Sequence, residues 1–179
     1  TYVPLNRKAS QVRGQIDLAV RLIAALAPIS EVQERVLREE DWANAWKRHF
    51  GVLHIGKQLV VVPTWLEHAQ KPDELVINLD PGMAFGTGYH PTTHCCLEAM
   101  ERLVEPGMAV LDLGAGSGIL SITAVHLGAE RVVALDIDPQ AIRAARQNFR
   151  RSRIQRQVTL GQGSLPNPLV KEGEFDLVL

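Results

Sequence analysis

The sequence has few cysteines, no long apolar run and no excess of charge of either sign, and each shortage excludes a class of protein. Only two cysteines occur, Cys95 and Cys96, and their adjacent positions fit neither a usual disulfide framework nor the ligand spacing of a zinc site. No apolar run approaches the roughly 20 residues that a helix needs to cross a bilayer, and the N-terminus has no signal-peptide pattern. We therefore expect packed thiols and a cytoplasmic protein without a membrane segment or a metal site.

The net charge of −1, from 19 basic and 20 acidic side chains, gives no overall argument for binding nucleic acid. A local run of arginines is the exception. A solvated helix face explains it, and contact with RNA or an acidic partner is the alternative. The run consists of Arg143, Arg146, Arg150, Arg151, Arg153 and Arg156. With 46% hydrophobic and 22% charged residues, the 179-residue chain can bury one sizeable core plus a small appendage.

An apolar segment that runs into three alternating glycines is the most informative feature of the chain. Residues 110–113 predict a buried strand, Gly114, Gly116 and Gly118 predict a sharp turn, and helical spacing follows over residues 119–127. Glycine can adopt a positive φ and lets a ligand lie against the main chain, at a helix N-terminus whose amide groups are unpaired. The pattern predicts a nucleotide-type site, with a plain strand-to-helix turn as the alternative.

The next predicted strand, residues 131–136, ends in a carboxylate. Asp136 follows Gly114 by about 20 residues, where an acidic residue meets ribose hydroxyls in a nucleotide-binding βαβ unit. Asp138 precedes Pro139, a combination typical of an N-cap and the first helical position. We therefore expect Asp136 to point at a ligand and Asp138 to cap a helix.

Strands alternate with helices through the second half of the chain, which favours a parallel α/β sheet with right-handed crossovers. Further strands are predicted at residues 75–79, 158–160 and 175–179. Ser164 follows the second of these, at the edge where ligands bind in open sheets, and is predicted to meet the base of a nucleoside.

The first part of the chain predicts a small α+β segment. A helix over residues 7–26, a short strand and a helix within 35–49, and a hairpin around Gly56 and Lys57 make up this segment. The polar, proline-containing stretch 67–73 is the predicted seam, which divides the chain into domains 1–70 and 71–179.

A glycine-rich loop, residues 80–93, follows the predicted strand at 75–79. It is either a mobile lid with glycine hinges or an irregular connection. The candidate lid residues are Phe85, Gly86, Thr87, Gly88 and His90. His90 precedes a proline and is interpreted as a structural side chain rather than a base. Thr92 or Thr93 is the predicted cap of the helix that follows.

The glycines also restrict the kind of nucleotide. No Gly-Lys-Ser or Gly-Lys-Thr follows them, and a dinucleotide fingerprint would have its third glycine one residue after Gly118. Asp112 would repel a pyrophosphate but attract a cationic ligand. S-adenosylmethionine, which carries a sulfonium and an amino group, fits this environment. A nicotinamide-dependent oxidoreductase and a non-catalytic adenosine-ligand or protein-binding module remain as alternatives.

Residues 111–118, Leu-Asp-Leu-Gly-Ala-Gly-Ser-Gly, resemble the first motif of the class I methyltransferases. The loop of residues 79–93 is similar to the signature of the ribosomal protein L-eleven methyltransferase (PrmA) family. Residues 41–50 and 134–142 are also similar to that family, so that the match covers roughly residues 39–179. Residues 1–38 match poorly and could represent only a remnant of the family's N-terminal substrate-recognition domain.

The resemblance implies a doubly wound, mostly parallel Rossmann-like methyltransferase sheet that binds S-adenosylmethionine. It implies transfer of the sulfonium methyl to protein amines of ribosomal protein L-eleven, namely lysine side chains, with an N-terminal amine as a second candidate. No catalytic protein nucleophile, membrane or direct nucleic-acid contact is required. At matching positions it places Thr93 beside the cofactor, Gly114 under it and Asp136 on the ribose. The full predicted set is Thr93, Asp112, Gly114, Gly116, Gly118, Asp136, Ile137 and Ser164.

The sheets of this superfamily have more strands than the sequence supplies, and an asparagine of the family motif would follow Leu179. We therefore expect the C-terminal strands to be absent from this chain and an apolar sheet edge to be open to self-association. A fragment of this kind is expected to bind the cofactor weakly and to lack methyl transfer when taken alone.

Overall fold

The computed structural model describes residues 9–27, 30, 50–80, 86 and 88–179. The chain divides into two compact units, Thr1–Ala43 and Asn44–Leu179. In the first unit, helix α1 spans Ala9–Leu26, as its apolar spacing predicts, and none of its residues is buried. The strand and helix predicted within residues 35–49 lie outside the described residues. Across the part of the chain that is described, every helix is too short or too polar to cross a membrane.

The described part of the second unit contains two β-sheets. The smaller sheet consists of β1 (Leu53–Ile55), β2 (Leu59–Pro63) and β3 (Leu75–Leu79), with β1 antiparallel and β3 parallel to β2. The larger sheet consists of β4 (Ala109–Leu113), β5 (Arg131–Asp136), β6 (Val158–Gln162) and β7 (Leu177–Val178). Its strands are all parallel and lie in the order β6-β5-β4-β7. The predicted parallel sheet is therefore confirmed.

Among the described residues of the second unit, three helices connect the strands: α2 (Pro91–Leu103), α3 (Ile119–His126) and α4 (Pro139–Arg151). α3 ends before Gly128, whose φ of 106° suits the residue that follows a helix C-cap. The backbone pairing of β7 with β4 continues beyond the strand itself, since the Asp176 N–H donates to Ala109 and the Leu113 N–H donates to Leu179. The predicted strand at residues 175–179 is thus confirmed in its position.

Alternate residues of the parallel strands pack into two different cores. One face carries Val110, Val132 and Ala134, which pack with side chains of all three helices, among them Leu97, Met100, Ile119, Ile122, Ala145 and Phe149. The opposite face carries Leu111, Val133 and Leu135, which pack with Val170 and Phe175 from the segment between β6 and β7. Burial on both faces explains why these strands are apolar almost throughout.

The boundary between the units differs from the predicted seam at residue 70. β2 and β3 pair in parallel over their full lengths, so the hairpin belongs to the second unit. The polar stretch 67–73 is instead a connection within that unit. Glu74 holds it in place by accepting hydrogen bonds from the Lys71 N–H at 3.0 Å and from Nε2 of His68 at 2.7 Å.

The predicted hairpin turn between β1 and β2 is confirmed, and its anchor comes from far along the chain. The carboxylate of Glu101, in α2, accepts three backbone N–H groups of the turn, from Lys57 at 2.8 Å, Gln58 at 2.8 Å and Leu59 at 3.0 Å. Gly56 has a φ of 59°, and a side chain there would meet this carboxylate. The turn therefore needs both its glycine and the glutamate of α2.

The N-cap of α2 is His90, so the prediction of Thr92 or Thr93 in that role is wrong. Nδ1 of His90 accepts the Thr92 N–H at 3.4 Å. Pro91 explains the difference, because proline is favoured at the first helical position and the cap is then the residue before it. The interpretation of His90 as a structural side chain agrees with this geometry. Of the two cysteines of α2, Cys96 is half-buried, whereas Cys95 is exposed rather than packed.

Candidate cofactor site

The glycine turn lies between β4 and α3, at the carboxyl edge of the parallel sheet. Its three glycines have φ values of 82° at Gly114, 56° at Gly116 and 83° at Gly118. This is the left-handed region, which side chains other than glycine rarely adopt. The expectation that these positions require glycine is therefore confirmed.

The backbone N–H groups of the turn are already in use, which corrects the expectation that they are unpaired. Four of the five N–H groups of residues 114–118 donate to acceptors within the protein. Two reach the carbonyl of Leu135, at 2.8 and 3.0 Å, and a third reaches the Ala115 carbonyl at 2.7 Å. The fourth reaches the Asp136 carboxylate at 2.8 Å. Because a phosphate-binding turn points free N–H groups at its ligand, this turn is poorly suited to a phosphate.

Two of the glycines have different surroundings. A Cβ added to Gly114 would have no atom of the described residues within 4 Å, so they leave the space above this residue open. A Cβ added to Gly118 would lie 2.9 Å from Cζ of Phe149 and closer still to its Cε1. Gly114 can therefore lie under a ligand, whereas Gly118 is required for packing against α4 and is not an open ligand surface.

Asp136 is half-buried at the end of β5, and both of its carboxylate oxygens accept backbone hydrogen bonds. Oδ2 accepts the Gly116 N–H at 2.8 Å, and Oδ1 accepts the Asp138 N–H at 2.9 Å. A carboxylate has about four lone-pair sites, so each oxygen can accept one further donor. Asp138 caps α4 as predicted, since its Oδ1 accepts the Gln140 N–H at 2.8 Å.

Asp112 lies below the turn, on the helix-covered face of β4. It is 1% exposed, and its Oδ2 accepts the Ser121 hydroxyl at 2.6 Å. The pKa of the Asp112 carboxyl is raised to about 6, mainly by burial and in smaller part by the charge of Asp136, while the hydrogen bonds from Ser121 lower it. A carboxylate buried this deeply acts on a ligand through its charge, and a direct contact with a cofactor stays a prediction.

The remaining predicted cofactor residues are Ile137, Ser164 and Thr93. Ile137, which follows β5, is 72% exposed although it is apolar. Ser164 is exposed in the loop after β6, and the Gly163 N–H at the start of this loop donates to the Asp136 carbonyl at 2.8 Å. Thr93 is 6% exposed in the first turn of α2. Ligand contacts at these residues stay predictions.

Two residues of the candidate lid, Phe85 and Thr87, lie outside the described residues. Gly86 and Gly88 are both buried. The carbonyl of Gly86 accepts the hydroxyl of Ser117, a residue of the glycine turn. Gly88 packs beside Ile119, the first residue of α3, because a Cβ there would lie 3.4 Å from the isoleucine side chain. The two glycines are thus packed against the turn, and a hinge function for them stays a prediction.

A buried asparagine, which the sequence did not single out, joins the start of this loop to the glycine turn. Asn148 of α4 is 0% exposed. Its side chain bonds to both backbone groups of Asp80 and to the Ser117 carbonyl. Arg151 pairs with the Asp80 carboxylate at 3.1 Å. The sequence contains an indication of this residue, because position 148 falls on the same buried helical stripe as Ala145, where a polar side chain is unexpected.

The other members of the arginine run have exposed side chains, at positions 143, 146, 150, 153 and 156. This agrees with the interpretation of the run as a solvated helix face. Contact with RNA or an acidic partner stays an untested alternative.

The order of the parallel strands, the glycine turn after the first of them and the carboxylate at the end of the next define a Rossmann-like methyltransferase domain. The crystal structure of a ribosomal protein L11 methylase from Lactobacillus delbrueckii subsp. bulgaricus is similar, with a TM-score of 0.62 and 37% sequence identity. The similarity covers 72% of this chain and 65% of that one.

The profile of the ribosomal protein L11 methyltransferase (PrmA) family matches residues 3–179, and the chain belongs to this family. A ribosomal protein L11 methyltransferase from Chloroflexus aurantiacus is 53% identical over 165 residues, which is 92% of this chain and 50% of the relative. One from Herpetosiphon aurantiacus is 46% identical, over 92% of this chain and 51% of the relative. The chain therefore spans about half the length of these relatives. The resemblance noted in the sequence is confirmed, but its expected extent is wrong, because the profile also covers residues 3–38, which were expected to match poorly.

The different surroundings of Gly114 and Gly118 lead to a test by matched substitution. Both residues have nearly the same φ, so alanine at either position carries a similar backbone strain of about 1–2 kcal/mol. Gly118→Ala also forces its methyl group against Phe149, and we expect a further loss of about 1–3 kcal/mol in unfolding free energy. Urea denaturation of the two variants measures the difference. Equal losses would mean that Phe149 does not restrict the turn.

The buried carboxyl of Asp112 leads to a prediction about pH. Its pKa is raised from 3.8 to about 6 in the folded protein, so the folded state holds the proton more tightly than the unfolded state. The contribution of Asp112 to stability is therefore greatest below pH 3.8 and declines as the pH rises to about 6.

Asp112→Asn removes this titration and keeps an acceptor for Ser121. The unfolding free energy of the variant, relative to the unsubstituted protein, should rise by about 1–3 kcal/mol from pH 4 to pH 7. Asp73→Asn, which removes an exposed carboxylate, controls for the change in net charge. Parallel stability curves for Asp112→Asn and the unsubstituted protein would contradict the prediction.

Proposed function

We propose that the chain binds S-adenosylmethionine at the carboxyl edge of its parallel sheet and belongs to a protein that methylates amines of ribosomal protein L11. One observation carries the cofactor proposal. Most N–H groups of the glycine turn donate to acceptors within the protein, and they lie next to an open surface at Gly114. A nucleotide phosphate would find few free donors there. A nucleoside with a cationic tail needs none of them, and the carboxylates of Asp112 and Asp136 favour its charge.

The positions of the predicted residues fit such a ligand. The cofactor would lie on the open face of Gly114, and Asp136 would accept hydrogen bonds from the ribose hydroxyls with its remaining lone pairs. The exposed side chain of Ile137 would cover one face of the base, and Ser164 would lie beside its edge. Exposure of a large apolar side chain at a strand end is explained when a ligand covers it.

Methyl transfer requires the protein to orient the cofactor and the accepting amine rather than to supply a reacting group. When bound, S-adenosylmethionine supplies an electrophilic methyl group on its sulfonium sulfur. The chain's own residues hold the cofactor in one orientation, so that an incoming nitrogen can approach in line with the sulfur. The accepting amine must be neutral, and removal of water around it lowers its pKa. The proposed reaction thus requires no nucleophile or metal from residues 1–179.

The acceptor is inferred from the relatives, which are named for methylation of ribosomal protein L11. The chain spans about half of their length, so the amines, the acceptor surface and the cytoplasmic location are all part of the proposal. Labelled methyl transfer to ribosomal protein L11, run beside the Chloroflexus relative, tests the acceptor. Methyl transfer by the chain would show that residues 1–179 suffice for the reaction. Cofactor binding without methyl transfer would support the expectation that these residues bind the cofactor but do not catalyse transfer alone.

Equilibrium binding tests the cofactor and discriminates among the candidate functions. We expect S-adenosylmethionine and S-adenosylhomocysteine to bind, and reduced nicotinamide cofactor and ATP not to bind, because the turn offers so few free donors to their phosphates. Tighter binding of a phosphate-containing nucleotide would overturn the proposal.

Substitutions of Asp136, the last residue of β5, and of Asp138 should separate an effect on cofactor affinity from an effect on stability. Asp136→Ala removes the acceptor of the ribose hydroxyls and should weaken S-adenosylmethionine binding by about 10-fold to 100-fold. It also frees the Gly116 N–H, so some loss of stability is expected as well. Asp138→Ala removes only a helix cap and should lower the unfolding free energy by about 1 kcal/mol with little change in affinity. Calorimetry on both variants makes the comparison, and the reverse pattern would show that the roles are misassigned.

A further inference from the structure

The buried side chain of Asn148 has a definite orientation. Its nitrogen donates to the Asp80 carbonyl at 2.9 Å and to the Ser117 carbonyl at 2.9 Å, and its oxygen accepts the Asp80 N–H at 3.1 Å. The reverse orientation would set the amide oxygen against two carbonyls. The amide therefore holds two chain segments, 68 and 31 residues away from it in sequence, at fixed positions.

Each segment held by Asn148 is also part of the candidate cofactor site. Ser117 lies between two of the turn's glycines, and its hydroxyl in turn donates to the Gly86 carbonyl. Asp80 follows directly on β3 and begins the glycine-rich loop to which Gly86 belongs. The loop is thus tied to the turn at two points, through Asn148 at residue 80 and through Ser117 at residue 86.

A buried amide is a costly way to fill a core, because each of its polar atoms must find a partner. The neighbouring buried positions of α4 are apolar, at Ala141, Ile142, Ala145 and Phe149. An apolar residue at 148 could fill the space, but it would leave the backbone groups of Asp80 and Ser117 without this partner and could not set the direction of the Ser117 carbonyl. That direction matters because it helps to fix the backbone on which the ligand lies, whereas Phe149 fixes only the space beside Gly118.

We propose that Asn148 is a positioning residue for cofactor binding, which fixes the glycine turn and the start of the glycine-rich loop as one preformed surface. The proposal rests on the proposed S-adenosylmethionine function. Asn148 acts through Ser117 and Asp80 and need not touch the cofactor. Its loss should therefore change cofactor affinity beyond what a comparable loss of stability produces.

The decisive variant is Asn148→Asp, which keeps the size of the side chain and replaces both N–H donors with an acceptor. Gln147→Glu is its matched control, since it makes the same change of charge at the adjacent exposed position of α4. Val132→Ala controls for stability alone, because this buried residue lies near the amino end of β5, away from the turn. The dissociation constant of S-adenosylhomocysteine is measured by calorimetry between pH 5 and 8, together with the thermal midpoint.

At pH 8 we expect Asn148→Asp to bind about 10-fold to 100-fold more weakly than the unsubstituted protein. Binding should partly recover towards pH 5, because a protonated carboxyl regains one donor for the two carbonyls. The charged groups beside the position are Asp80 and Arg151, which are present in every variant. Gln147→Glu and Val132→Ala should bind as the unsubstituted protein does across the pH range.

Unchanged affinity in Asn148→Asp, or an equal loss in Val132→Ala at a similar thermal midpoint, would overturn the proposal and leave Asn148 a core residue only. Should the aspartate variant fail to fold, Asn148→Ala provides the test without the added charge. Weaker binding by Asn148→Ala supports the positioning role, and normal binding overturns it. Absence of binding by the unsubstituted protein would overturn the proposed function and this inference with it.

Discussion

The hydrogen bond from the Gly116 N–H to the Asp136 carboxylate is the constraint on which the arrangement of the site depends. It joins the turn after β4 to the end of β5. The same carboxylate accepts the Asp138 N–H, so one side chain sets the relative positions of the turn, the strand end and the start of α4. A carboxylate suits this task because it only accepts hydrogen bonds and has two oxygens to do so. The protein thereby satisfies its own backbone and leaves the outer surface of the turn to a ligand.

The electrostatic character of the site follows from this arrangement. Asp136 is half-buried, so water partly screens its charge, whereas Asp112 is buried below the turn, where its Oδ2 accepts the Ser121 hydroxyl. Two carboxylates near one another disfavour ionisation of the more buried one. A cationic ligand above the turn would relieve this repulsion, whereas an anionic ligand would add to it. The proposed site would therefore select a ligand by its charge, through residues that need not all touch it.

The features that the sequence predicted correctly are those set by local constraints. β4, β5 and β6 are apolar because the sheet is buried on both faces, and such runs are visible in any short window of sequence. The positive φ values at Gly114, Gly116 and Gly118 follow from an alternation that only a tight turn explains. The cap at Asp138 likewise depends only on the residues next to it, an aspartate followed by a proline and a helical pattern.

The features that the sequence did not predict depend on partners distant in the chain. The sequence near Asn148 indicates only a polar residue on a buried helical stripe, and it does not identify Asp80 and Ser117 as the partners of its three hydrogen bonds. The observed boundary between the units differs from the predicted seam, because a polar loop within one unit resembles a linker in sequence, whereas the pairing of β2 with β3 places the hairpin in the second unit. The N–H groups of the turn were expected to be free because their acceptors, Leu135 and Asp136, lie on another strand.

The anchoring of the β1–β2 turn by Glu101 also has a consequence for the order of folding. A short hairpin usually forms early, because its contacts are local. Here the three turn N–H groups find their acceptor on a helix more than 40 residues away, and the most distant pair is separated by 44 residues. The native turn cannot be completed until α2 has formed and docked, so the smaller sheet and α2 should gain their protection together, in one cooperative step rather than two.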